Sequence, residues 1–207
     1  MTRLSFMKTH GGKSTHQMIK WIISHFPSNY TQLNYLEPHV GGGGIFLNKE
    51  SSIFEAINDI DYGTYAAWNI TKTDNRLLYS HMSYWQYNES NFYNHKIWLN
   101  RPQPLTLKDA ARVEYLTRNM SRGGLKKDFA WSERKRGGKP GDQNAWENKV
   151  KQLPAIQNRL KDVEIYNLDA IDFLRKFNSS NALAYLDPPY LATTRTSKKI
   201  YDHEMTI

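Results

Sequence analysis

The sequence predicts an α/β fold built on a parallel sheet. Short apolar runs alternate with stretches of helical periodicity at both ends of the chain, and acidic or glycine-rich residues follow those runs directly. The middle lacks this alternation and is aromatic and basic instead. It reads as an inserted, mainly helical subdomain over 69–149, which leaves 1–68 and 150–207 to form the sheet domain.

The elements follow in order. Thr9-His10-Gly11-Gly12-Lys13-Ser14 forms a glycine turn, and Met18, Ile19, Ile22, Ile23 and Phe26 then recur at helical spacing until Pro27 stops the run. Leu33 to Glu37 is a buried strand that ends in Pro38-His39-Val40 and four glycines, Gly41 to Gly44. A helix is expected to begin at Ile45-Phe46-Leu47. Ser52 to Ile57 is a second strand, closed by Asn58-Asp59-Ile60-Asp61. In the centre, Leu107 to Leu116 is helical, with Gly123-Gly124 and Gly137-Gly138 as loop points. Leu153 to Leu160 is helical, Val163 to Leu168 is a strand ending in Asp169, and Ile171 to Phe177 is helical. Ala182 to Leu186 is the fourth strand and runs into Asp187-Pro188-Pro189-Tyr190. In such a sheet, ligands bind at the carboxyl ends of the strands.

Composition narrows the chemistry. The 207 residues suit one domain with an insertion, and the absence of cysteine excludes disulfides and thiolate metal sites. A mean hydropathy of −0.72 indicates a polar surface. There is no apolar run long enough to span a membrane and no secretory h-region, so a cytoplasmic location is the default. The seven histidines show no paired metal-ligand spacing, and no protein-bound metal is expected. The formal charge of +8 favours a polyanionic partner. Its distribution says more: between Arg118 and Lys139 stand eight lysines and arginines against two acids. Arg118, Arg122, Lys126, Lys127, Arg134, Lys135 and Arg136, with Asn119, are the candidate contacts to such a partner, since cations neutralise phosphates and glycines let a loop enter a groove.

Asp187-Pro188-Pro189-Tyr190 points to a specific reaction. Two prolines fix φ twice and remove two amide donors, so carbonyls remain as acceptors. Asp187 adds another acceptor and Tyr190 a flat face. The set can take both hydrogens of an aromatic amine, one at the Asp187 carboxylate and one at the Pro188 carbonyl, while the ring stacks alongside. Such an amine is a poor nucleophile because its lone pair is delocalised, and holding both hydrogens favours a tetrahedral nitrogen. Glu37 and Asp59 could accept hydrogen bonds from a ligand's ammonium and ribose hydroxyls, although acids at these places also cap helices.

These motifs resemble the Dam-like adenine-N6 DNA methyltransferases of the alpha group. Gly11-Gly12-Lys13 is similar to that family's GGK motif, and Glu37-Pro38-His39-Val40-Gly41-Gly42-Gly43 to its cofactor loop. Asn58-Asp59 is similar to its ND motif, Arg118-Asn119 through Gly124 to its R-N-x-x-x-G element, and Asp187 to Tyr190 to its catalytic DPPY. The resemblance implies a Rossmann-like methyltransferase sheet, S-adenosylmethionine as cofactor, and N6 of an adenine flipped out of double-stranded DNA as the target. It implies cofactor contacts at Gly11, Gly12, Lys13, Glu37, Pro38, Gly41, Gly43, Asp59, Asp169 and Asp187, with Asp187, Pro188, Pro189 and Tyr190 catalytic. A cognate restriction endonuclease is a partner it allows.

The chain departs from the pattern in three places. His39 stands where the family has Phe, and Thr9 where an aromatic is frequent. The sequence also stops at Ile207, where family members continue, so C-terminal strands are expected to be missing or supplied by another chain, since an uncovered apolar edge is avoided. Two other readings stay open on the residues alone: a cytosine-N4 enzyme, and a non-catalytic DNA-binding remnant.

Overall fold

The computed structural model describes residues 3–9, 13, 15–84, 86–101 and 104–189. Gly11, Gly12 and Tyr190, three of the candidate site residues, lie outside the described residues.

The sheet is parallel. Its strands are β1 (Asn34–Glu37), β2 (Phe54–Asn58), β5 (Glu164–Tyr166) and β6 (Ala182–Ala184), in the order β5-β2-β1-β6. Tyr35 pairs with Glu55 and Leu183, and Leu36 with Ala56 and Ala184. Side chains alternate across the pleat. Tyr35 and Ile57 enter the main hydrophobic cluster, whereas Leu36 and Ala56 face a smaller one. Phe173 of α6 (Ala170–Lys176) covers that second face. The main cluster takes in Trp68, Leu78, Tyr115, Leu116, Leu153 and Ile156. These come from α2 (Tyr62–Tyr84), α4 (Leu107–Met120) and α5 (Gly141–Arg159). Helix α1 (His16–Ser24) precedes the sheet, and α3 (Glu89–Leu99) lies between α2 and α4 in the chain. A two-stranded hairpin, β3 (Lys135–Arg136) with β4 (Lys139–Pro140), precedes α5.

The helix expected from Ile45 is not formed. Residues 41–49 make successive turns, with the Leu47 amide on Gly43 and the Lys49 amide on Ile45. Side chains hold these turns to other segments. The Asn48 carboxamide accepts from the Leu4 amide and donates to the Leu4 and Gly44 carbonyls. The buried Lys49 turns inward to Glu55, which Arg159 also binds. Conversely, α5 begins twelve residues before the expected Leu153. Trp146, Lys149, Leu153 and Ile156 form its buried stripe, while the rest of its surface is polar.

The central region shares one core with the sheet. Phe92 and Tyr87 belong to the same cluster as Tyr35 and Ile57. Positions 69 and 149 fall inside α2 and α5, and α2 breaks at Asp74, whose φ of −151° and ψ of 66° leave the helical region.

Residues 4–8 carry no motif, yet they are tied into the core: Phe6 is fully buried against Trp68 and Tyr115, and Met7 is buried beside it. The Ser5 amide donates to Gln152 and the Lys8 amide to Asn119. The Lys149 ammonium donates to Ser5 Oγ and the Phe6 carbonyl.

Candidate active site

The strand order creates the site. The chain passes outward from β1 to β2 to β5 and then returns to the other side of β1 as β6. The connections reverse direction between β1 and β6, and in an open α/β sheet ligands bind at the carboxyl ends beside such a reversal. Glu37 ends β1, Asp59 follows β2, Asp169 follows β5 and Asp187 follows β6. All four sequence-predicted acids therefore stand along one edge.

Asn58 locks that edge together. It is 1% exposed. Its amide donates to the Pro38 and Leu168 carbonyls, both at 3.0 Å, and its oxygen accepts from the Leu168 amide at 2.9 Å. One side chain thus ties together the loops after β1, β2 and β5. Asn167 reinforces the join by donating to the carbonyls of Asp59 and Ile60.

Glu37 is 2% exposed and accepts from the Tyr35 hydroxyl at 2.5 Å. Burial pushes its carboxyl up to about 8, and the nearby Asp187 adds to the rise, against the Tyr35 hydrogen bond and Lys49. A protonated acid in this place is stable alone and ready to ionise against a cation. His39, beyond the buried Pro38, is half-buried, and its Nδ1 has no hydrogen-bond partner among the described residues. Burial lowers its pKa while Asp187 and Asp169 pull it up, so the imidazole lies within the field of both acids.

The glycine turn is shaped by what packs on it. Gly41 has φ +48°, donates its amide to Asp59 at 2.9 Å, and accepts from the Trp68 indole at 2.9 Å. A Cβ on Gly43 (φ +66°) would lie 2.5 Å from the Trp68 ring, and one on Gly42 would lie 2.5 Å from the Met7 carbonyl. Thr9 lies over the same turn, its methyl 3.3 Å from where a Gly41 Cβ would be. Asp59 also accepts from the Asp61 amide at 3.0 Å. Its pKa is pushed up to about 6, by burial first and then by Asp61, against Arg118.

Asp187 pairs with the Lys13 ammonium, so the N-terminal motif and the strand-end tetrapeptide meet. Pro188 and Pro189 are half-buried beside it. Asp169 caps α6, accepting from the Ile171 amide at 2.8 Å.

The basic segment divides in two. Arg118, Asn119 and Lys126 turn inward. Arg118 binds Glu114 through Nε and Thr64 Oγ1 at 3.3 Å, and lies 3.9 Å from Asp61. Lys126 binds Glu114 at 3.0 Å. Asn119 accepts from the Lys8 amide and donates to the Phe6 carbonyl. A Cβ on Gly124 would lie 2.6 Å from the Lys8 carbonyl. The element from Arg118 to Gly124 thus supports the loop after β2 and the segment 6–8. Arg122, Lys127, Arg134 and Lys135 are exposed. Lys135 and Arg136 form a strand of the hairpin, whose Gly137 and Gly138 both have positive φ (59° and 80°), as a two-residue type I′ turn requires. The sequence reading named Asn58 within a motif without giving it a role, and missed Glu114 and Trp68 as site supports. For Glu114 a cue existed, since it stands four residues before Arg118 on one helix face.

Among the described residues no cluster of His, Asp and Glu is arranged to hold a metal, and no helix is long and apolar enough to cross a membrane. No curated protein matches the chain closely enough to count as a relative. The model of one family, the D12 class N6 adenine-specific DNA methyltransferases, matches residues 10–206. With a parallel α/β sheet beneath it and almost the whole length matched, the chain belongs to this family of S-adenosylmethionine-dependent enzymes that methylate N6 of adenine in DNA.

Proposed function

We propose that the carboxyl edge of β1, β2, β5 and β6 binds S-adenosylmethionine and the flipped adenine together, with Asp187 as the group shared between them. The observation that carries this is the neighbourhood of Asp187: from the end of β6 its charge acts on Glu37 and His39 at the end of the adjacent β1, and it is paired with Lys13. The residues fit the cofactor's chemistry. Glu37 is a buried acid without a full counter-charge, suited to an ammonium, and Asp59 is suited to ribose hydroxyls. The backbone at Pro38, Gly41 and Gly43 would border the methionine portion, with Lys13, Gly11 and Gly12 closing the N-terminal side and Asp169 at the adenine end.

S-adenosylmethionine supplies a methyl carbon on a sulfonium, already a good leaving group. Asp187 and the Pro188 carbonyl would accept the two hydrogens of the adenine N6, and Pro189 and Tyr190 would hold the ring. The chain's task would be to orient the amine toward the methyl carbon, and N6 would release one proton to solvent as the N–C bond forms and the S–C bond breaks. Duplex geometry hides N6 from such an approach, so the base must leave the stack, at a cost of a few kcal/mol.

The division of the chain into 1–68 with 150–207, and 69–149 for target recognition, belongs to the same proposal. The break at Asp74 supports a change of role along α2. Phosphate contact rests on the exposed Arg122, Lys127, Arg134 and Lys135, with Arg136 in the same hairpin. Arg118, Asn119 and Lys126 are already committed to internal partners.

The test is transfer of a labelled methyl group from S-adenosylmethionine to duplex DNA, followed by hydrolysis to nucleosides. Label in N6-methyl-2′-deoxyadenosine is expected. Label in N4-methyl-2′-deoxycytidine, or none, would contradict the proposal.

A further inference from the structure

We infer that Arg118 is a positioning residue of the cofactor site, holding the Asp59 carboxylate for ribose through Asp61, and not a contact to DNA. The inference rests on the reading of Asp59 as the ribose acid.

The geometry is a continuous chain of charged groups. Lys126 Nζ binds one oxygen of Glu114 at 3.0 Å, and Arg118 Nε binds the other. Glu114 is 2% exposed, so this pair is fixed inside the protein. From that anchor Arg118 spreads its second nitrogen to Thr64 Oγ1 at 3.3 Å and toward Asp61 Oδ1 at 3.9 Å. Asp61 Oδ1 accepts the Thr64 amide at 2.7 Å, at the start of α2. The Asp61 amide in turn donates to Asp59 Oδ1 at 3.0 Å, while the Gly41 amide holds Oδ2 at 2.9 Å. Both oxygens of Asp59 are thereby set by backbone donors, one of which belongs to the residue that Arg118 steadies. The packing admits no slack, since a Cβ on Gly63 would lie 2.8 Å from Glu114 Oε2. An arginine used this way has its guanidinium committed to protein partners, and the Arg118 side chain is only 17% exposed.

Electrostatics gives the arrangement a distinctive readout. The charged groups around Asp59 are Asp61 on its own loop, Arg118 and Glu114 from α4, and Lys126 from the loop after α4. The glycine turn and Asn167 contribute no formal charge. Asp61 raises the pKa of Asp59 and Arg118 lowers it. Replacing either alters the ionisation of Asp59, and in opposite directions.

The test uses the full chain with 5′-methylthioadenosine, which has the ribose and adenine but lacks the ammonium that would engage Glu37. Its Kd is measured between pH 5 and 8 for the wild type, Arg118→Gln, Arg118→Lys, Asp61→Asn and Asp59→Ala. The pH below which affinity falls should move up by about half a unit in Arg118→Gln and down by a similar amount in Asp61→Asn. DNA affinity and its salt slope should stay unchanged in both. Asp61→Asn changes the charge of Asp61 itself, so Arg118→Lys is the variant that decides the matter if Arg118→Gln does not fold: it keeps the charge but loses the forked reach to Thr64 and Asp61, and its shift should be upward and smaller. Midpoints unmoved in every variant that folds would overturn the inference, as would a flatter salt slope in Arg118→Gln. Unimpaired binding in Asp59→Ala would instead remove the ribose reading on which the inference stands.

Discussion

The ammonium of Lys13 pairs with the carboxylate of Asp187, residues 174 positions apart in the chain. The contact joins the N-terminal motif to the tetrapeptide after β6, and it places a cation beside the acid proposed to receive the adenine amine. Lys13→Ala should lower kcat/KM for methyl transfer about fivefold, as loss of a partly exposed ion pair implies. Single-turnover assays on duplex DNA check this, and an unchanged rate would separate Lys13 from the reaction.

Glu37 makes cofactor affinity depend on pH. In the free protein, burial holds its carboxyl protonated up to about 8. The proposed ammonium partner needs the ionised form, so binding should release a proton. Affinity for S-adenosylhomocysteine should therefore rise as pH climbs from about 6 to 8 and level off above, since the free acid ionises on its own there. Calorimetry in two buffers of different ionisation heat counts the proton. Glu37→Gln should abolish the release near pH 7 to 8 and leave only the fall in affinity that Asp59 causes around pH 6 and below.

Gly43 tests the packing of the glycine turn. An alanine there must adopt φ +66° and push into the Trp68 indole. The expected loss is about 2–5 kcal/mol of stability in urea titration, from backbone strain and overpacking together. Gly137→Ala is the control. It has a similar φ of 59° but nothing within 4 Å of the added carbon, so it should lose only about 1 kcal/mol.

The hairpin tests DNA contact. Neutralising Arg134, Lys135 and Arg136 together should weaken DNA binding and flatten the plot of log affinity against log salt by about 2 to 3 in slope. An equal slope would mean that these residues touch no phosphate.

Much of the fold was legible because its signals are local. Four apolar runs with polar ends became β1, β2, β5 and β6, and the periodicity of 107–116 and 171–177 became α4 and α6. What was not legible depends on partners distant in sequence. A helix is expected to begin at Ile45 to Leu47, yet Asn48 and Lys49 direct their polar atoms to Leu4 and Glu55, and the run stays in turns. The polar surface of α5 hid a buried stripe that starts at Trp146. Counting charge from Arg118 to Lys139 could find a basic segment but not the direction in which each side chain points. Arg118 and Lys126 face Glu114, whereas Arg134 and Lys135 are exposed. The acids of the candidate site were visible as strand endings, while the reversal of connections that brings Glu37 beside Asp187 is a property of strand order alone.

Asp187 is proposed to act on the target amine in front of the cofactor and to take no part in holding DNA. Methyl transfer and DNA affinity measured side by side for Asp187→Ala separate these roles. Transfer should drop to background while the DNA Kd stays within about twofold of wild type. Retained turnover, or loss of transfer only through loss of DNA binding, would remove Asp187 from the reaction.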